Sequence, residues 1–154
     1  MVPNLQSTVP TDVIAHLCSM LHQHGRLNNS AAFYDAVVKR EHICSTSIAP
    51  AWALPHARLE GINRLSFALA RSSHPLVWFG EGSIRPRMIF LFAVPEAEAT
   101  TYLSLVAAVA RLNQNPALLQ QLHSAPDANS MFKIFEQIPL CLRRPIAAVA
   151  PEAS

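Results

Sequence analysis

Met88-Ile89-Phe90-Leu91-Phe92-Ala93-Val94 is an unbroken apolar run closed by Pro95. A strand with one wet face alternates apolar and polar residues; a run with no polar member predicts a central strand buried on both faces. Toward the N-terminus, Leu65, Phe67 and Leu69 alternate with Ser66 and Ala68, which predicts a strand with one buried face. The turn-rich stretch Phe79-Gly80-Glu81-Gly82-Ser83 leads from it to the central strand, and Ala51-Trp52-Ala53-Leu54 forms a further short apolar run stopped by Pro55. Before these lies helical spacing. Thr11 can cap a helix reaching about His24, with Val13, Ile14, Leu17, Cys18 and Leu21 on one face and Gly25 as its stop. A second helix starts after Ser30, shows Phe33, Tyr34, Val37 and Val38 as its apolar face, and ends near Glu41, so the two form a helical hairpin. Beyond the central strand, helices are expected from about Thr100 to Leu112, from Pro116 to His123, and after a cap at Asp127 or Asn129, carrying Met131, Ile134 and Phe135. Helices, then strands, then helices predict an α/β domain with helices covering a mixed sheet, rather than alternating βαβ units. Neither a GxGxxG fingerprint nor a P-loop is present.

The 154 residues fit one domain, placed at residues 1–138, with residues 139–154 read as a mobile tail on their prolines and small residues. An apolar content of 51% with 14% charged residues marks a globular chain. A formal charge of +2 is too small and dispersed for a nucleic-acid partner. Cys18, Cys44 and Cys141 are widely spaced and odd in number, against a disulfide framework. Cys18 falls on an apolar helix face and reads as a small core residue. The N-terminus lacks the order of a signal peptide, and no apolar run approaches the roughly 20 residues of a membrane span. A cytoplasmic protein without membrane insertion is the simplest reading.

One segment carries the chemistry: Arg40-Glu41, Ser45-Thr46 and Leu54-Pro55-His56-Ala57-Arg58. Leu54-Pro55 should end a buried strand, because proline fixes its own φ and restricts the residue before it. His56 is then presented from a rigid strand end, within reach of Arg40 and Arg58. A neutral imidazole is a nucleophile at physiological pH, and guanidinium groups neutralise phosphoryl oxygens.

These residues resemble the active-site stretch of the enzyme IIA family of the fructose–mannitol type, which also includes the nitrogen-regulatory IIA proteins. The resemblance extends through Phe90-Leu91-Phe92-Ala93-Val94-Pro95 and the helix Tyr102-Leu103-Ser104-Leu105-Val106-Ala107-Ala108-Val109-Ala110-Arg111-Leu112, and covers roughly Thr11 to Gln137. It implies a three-layer α/β/α domain with a mixed sheet. It also implies that a histidine takes a phosphoryl group from the phosphohistidine of the carrier HPr and passes it to a IIB partner, with no cofactor and no metal. His56 would be the acceptor, Arg40 would hold the phosphate, and Thr46 and Arg58 would be its further neighbours. Many members carry a second histidine where this chain has Tyr102, whose phenol can still donate one hydrogen bond. Glycines are usual where this chain has Ser47-Ile48-Ala49-Pro50-Ala51. Two alternatives stay open: a regulatory interaction protein of the nitrogen type, and an IIA-like binding module that has lost transfer.

The other candidates read as structural. His22 and His24, two apart on a helix, do not face each other as a metal pair would. His16, His42, His74 and His123 are isolated and suit solvated or local roles. Trp52, Leu54, Met88 and Met131 read as core, and Arg85 with Arg87 as a solvated strand edge.

Overall fold

The computed structural model describes residues 1–48, 51–80 and 82–137, and in it every residue of Met88–Val94 is buried. The expected tail at 139–154 and the Ala49-Pro50 departure lie outside the described residues. In chain order the strands are β1 Val2–Leu5, β2 Ser47–Ile48, β3 Trp52–Ala53, β4 His56–Arg58, β5 Ser66–Ser72 and β6 Met88–Val94. The helices are α1 Pro10–Gln23, α2 Ser30–Ile43, α3 Ala99–Asn113, α4 Pro116–Ser124 and α5 Ala128–Glu136, with a 3-10 turn at Glu96–Glu98 before α3. The sheet is mixed and ordered β1-β5-β6-β3-β2, with β4 also on β6.

The side chains of β6 alternate between two cores. Ile89, Leu91 and Ala93 join Val13, Ile14, Leu17, Phe33 and Val37 under α1 and α2. Met88, Phe90, Phe92 and Val94 join Tyr102, Val109, Leu112, Leu122, Met131 and Ile134 under α3, α4 and α5. Two helical layers therefore sandwich the sheet, as the continuous apolar run required. The two faces differ in volume. Ala53, Ala57, Ala68 and Ala70 keep the first face shallow, so α1 and α2 can approach closely. Trp52 and Phe90 stack at 4.8 Å on the second face, where Phe90 also meets Phe135 edge-on at 5.5 Å.

Strand β3 and strand β4 are one strand with a missing rung. Trp52 pairs with Met88 and His56 with Phe92, an offset of 36 residues in both cases. Between them Pro55 has no N–H to give the ladder, but its carbonyl accepts from the Phe92 N–H at 2.9 Å. This corrects the expectation that Leu54-Pro55 ends the strand: His56 opens the next stretch of pairing rather than following the last. Trp52 is fully buried and Leu54 7% exposed, so both are core.

Other boundaries moved for local reasons. Val9, not Thr11, is the N-cap of α1, because Pro10 occupies the first turn. Gly25 stops the helix at φ +66°, as its sequence position implied. Asn29 caps α2 by accepting from the Ala32 N–H, and Asp127 caps α5 by accepting from the Ser130 N–H. Strand β5 runs to Ser72, beyond Leu69. Strand β1 went unanticipated: four residues containing a proline give no alternation to read, and it pairs irregularly with β5 at the sheet edge. His22 and His24 donate locally, from Nδ1 to Leu27 O and to Met20 O at 2.7 and 2.8 Å. Burial pushes the Cys18 thiol up to about 12, consistent with a core residue.

Phe90→Ala should lower the free energy of unfolding by about 3 to 5 kcal/mol in urea denaturation, since it opens a cavity between the layers. Ile43→Ala at the exposed end of α2 should change it by less than about 0.5 kcal/mol.

Candidate functional site

The end of α2, the start of β4 and the start of α3 meet at the C-terminal end of β6. His56 is half-buried there. Its Nδ1 lies 3.1 Å from the Leu54 carbonyl oxygen. A carbonyl only accepts, so Nδ1 carries the proton of the neutral ring and Nε2 keeps its lone pair. Burial lowers the His56 pKa below its ordinary 6.5, and the charges of Arg40 and Arg58 press the same way, against the Leu54 carbonyl and Glu41. At neutral pH the ring is therefore mainly in its neutral form, with a lone pair on Nε2.

Tyr102, in the first turns of α3, lies with its ring centroid 5.3 Å from that of His56 at an interplanar angle of 36°. It is 7% exposed and meets Phe92 edge-on at 5.7 Å. An aromatic series thus runs from the core residue Phe90 through Phe92 and Tyr102 to His56. Burial raises the Tyr102 pKa, with Arg58, Arg40 and Glu41 also acting on it, so the phenol stays protonated and can donate. Its hydroxyl makes no hydrogen bond with a described residue.

Arg40 and Glu41 are neighbours on α2, about 100° apart around the helix, and Arg40 is partly exposed while Glu41 is buried. Arg40 Nη1 donates to Cys44 O at 2.6 Å, which pins the guanidinium at the helix C-terminus where its charge is favoured. Glu41 is 1% exposed, a buried carboxylate. It accepts from Thr46 Oγ1 at 2.6 Å, from the Thr46 N–H at 3.0 Å and from the Trp78 indole at 2.9 Å. Three donors compensate its desolvation and fasten the start of the 46–54 segment to α2. The Leu54 N–H in turn donates to Thr46 O at 3.3 Å.

The structure therefore brings His56, Tyr102, Arg40 and Arg58 into one electrostatic neighbourhood. Arg58 is exposed, two residues along β4 on the same strand face as His56. Thr46 lies close by in the chain, but its hydroxyl proton is held by Glu41. The clamp formed by Glu41 and Trp78 was not foreseen as such; the one available signal was an acid at a position where the α2 periodicity calls for a buried residue. Among the described residues no group of three His, Cys, Asp or Glu side chains is arranged to hold a metal ion. No helix among them is long and apolar enough to cross a membrane.

The sequence profile of the family described as phosphoenolpyruvate-dependent sugar phosphotransferase system, EIIA 2, matches residues 2–138. The chain is 25% identical over 134 residues to the fructose-specific EIIABC component of the phosphotransferase system of Bacillus subtilis, covering 87% of this chain and 21% of that protein. It thus spans about a fifth of that relative's length. It is 23% identical over 106 residues to a nitrogen regulatory protein of Bradyrhizobium diazoefficiens, covering 69% of each. In fold it is similar to the crystal structure of nitrogen regulatory protein IIA-Ntr from Neisseria meningitidis, with a TM-score of 0.77 at 19% identity over 86% of this chain and 90% of that one.

Two measurements check the geometry. The His56 ring protons should titrate in NMR with a midpoint below 6.5, and Arg40→Ala should move it upward without restoring 6.5, since burial is the larger cause. A depressed folded pKa means the unfolded chain takes up this proton first as pH falls. His56 therefore supports the folded state fully above 6.5, and that support is lost as pH drops toward the folded midpoint. Glu41→Ala should cost about 3 to 5 kcal/mol by leaving the Thr46 and Trp78 donors buried and unpaired, read from tryptophan fluorescence in urea. Glu41→Gln should recover most of that, since an amide can serve all three partners once the Thr46 hydroxyl turns to accept.

Proposed function

Since the chain belongs to the EIIA 2 family of the phosphoenolpyruvate-dependent sugar phosphotransferase system, we propose that it carries a phosphoryl group on His56 Nε2. The group arrives from the phosphohistidine of an HPr-like carrier and leaves to a IIB partner, which places the protein in the cytoplasm. The observation that supports this reading best is the hydrogen bond between Nδ1 and Leu54 O, which frees Nε2 for attack.

In the transfer, the Nε2 lone pair forms the new N–P bond while the donor's N–P bond breaks and its electron pair returns to the donor imidazole. Positive charge develops on the His56 ring, and the Leu54 carbonyl on Nδ1–H stabilises it. Arg40 and Arg58 neutralise the phosphoryl oxygens. Tyr102 packs its tilted ring against the imidazole, limiting its rotation, and its phenol supplies one uncharged donor. Thr46 acts through Glu41 to hold the loop rather than as a free hydroxyl. With imidazoles as both donor and acceptor, the protein's task is in-line positioning and charge stabilisation, which needs no cofactor.

A second reading has its own support. A nitrogen regulatory protein is among the relatives, at 23% identity over 106 residues. In this reading the same phosphorylation changes which regulatory partner the protein binds.

Incubation with phosphoenolpyruvate, enzyme I and HPr should add one phosphoryl group to His56, seen by intact mass and peptide mapping under conditions that preserve phosphohistidine. His56→Ala should show none while keeping a wild-type circular dichroism spectrum. Arg40→Ala should slow uptake at least about tenfold. Labelling of His56→Ala equal to wild type would remove His56 as the acceptor. Chase of the labelled protein with IIB domains separates the readings: discharge supports transport, and persistence of the label supports regulation.

A further inference from the structure

At the far end of the sheet from His56, a cavity of about 490 Å³ opens between β1, β5, the chain entering β6 and the last turn of α4. Arg71 of β5 pairs with Met88, whereas His56 pairs with Phe92. Four residues of strand separate the two places, about 13 Å. Arg71, Arg87, Ser73 and His123 line the cavity, and among the described residues no aspartate or glutamate does.

The two arginines are held in an unusual way. Arg71 donates from Nε to Pro3 O and from Nη1 to Leu122 O and His123 O, each at 2.8 Å. Arg87 donates from Nη2 to Ser73 O at 2.8 Å and from Nε to Ser72 O at 3.5 Å. It is therefore partly buried and anchored, not the solvated edge that the sequence suggested. Main-chain carbonyls fix the direction of a guanidinium without cancelling its charge. Arg71 Nη2 and Arg87 Nη1 donate to none of the described residues. Both cations act on His123, which burial first and then Arg87 and Arg71 hold below its ordinary pKa. Capping α4 accounts for the carbonyl bonds of Arg71. It does not account for a second guanidinium lining the same cavity with no carboxylate among its described residues.

We infer that this cavity is an anion site separate from His56, built to bind a small phosphomonoester. Arg71 Nη2 and Arg87 Nη1 bracket the phosphoryl oxygens as charge-assisted donors, and His123 adds a ring N–H. The cavity exceeds what a bare phosphate ion fills and lies within the range of small-molecule sites, so it has room for the organic part. Because Arg71 ties β1, β5 and α4 together, an occupant there bears on three elements at once.

The test is an NMR titration of the full chain with inorganic phosphate and, separately, glycerol 3-phosphate at constant ionic strength. Saturable shifts at Ser73 and the His123 ring are expected, unchanged in His56→Ala and at least tenfold tighter for the monoester. Arg87→Gln should weaken binding at least tenfold while His56 phosphorylation stays at the wild-type rate. Arg87→Lys, which keeps charge but loses the two-pronged donor, should fall between and serves if the glutamine variant does not fold. Equal affinity for both ligands would overturn the organic part and leave inorganic phosphate as the occupant. No saturation with either, or saturation unaffected at Arg87, would overturn the site.

Discussion

A strand with no wet residue has to be covered on both sides, and β6 imposes that condition on everything around it. Each of its side chains belongs to one of two cores, so the helices before the sheet and the helices after it cannot share a face. The alanine-rich face draws in the α1–α2 pair. The aromatic face holds α3, α4 and α5 further off. Between these layers the C-terminal end of β6 is the place where a residue of β4 is reached by groups from both: Arg40 from the end of α2 and Tyr102 from the start of α3. The site is a consequence of where the two layers stop.

Holding that arrangement depends on a charge the core would ordinarily reject. Glu41 is buried, yet every donor it needs is supplied by Thr46 and Trp78. Its neighbour Arg40 faces outward and is pinned to the helix end. One turn of α2 thus carries an inward anion that fixes the loop and an outward cation whose charge reaches His56. Displacing that turn disturbs packing and chemistry together, which places the rigidity of the site in the core.

Much of this was legible in the sequence because it depends on local patterns. The apolar run of β6, the 3.6-residue spacing of α1 and the proline at the start of α4 are each decided by physics within a few residues. The candidate set was reached differently: His56, Arg40 and Arg58 stand out through the order of residues around Pro55 together with the family resemblance, and Tyr102 through that resemblance alone. What escaped depends on partners distant in sequence. Strand β1 exists because β5 offers it an edge, and nothing in Val2-Pro3-Asn4-Leu5 announces that. The Glu41–Trp78 bond joins residues 37 apart. Arg87 looked solvated because the carbonyls that hold it belong to another strand's end. Thr46 was legible as a polar neighbour of the site, but which group its hydroxyl serves depends on a helix folding back upon it.

The shared register on either side of Pro55 has a consequence for how such chains can diverge. Along 52–58 the even-numbered side chains face the aromatic layer and the odd-numbered ones the alanine-rich layer. Loss of a single residue between Ala53 and His56 would rotate the imidazole out of line with Tyr102 and put Ala57 in its place, and gain of one would put Pro55 or the inserted residue there, even though neither ring had changed. Length in this stretch is therefore more tightly constrained than composition. A substitution that keeps the alternation disturbs one contact, whereas a one-residue insertion or deletion reverses every contact beyond it.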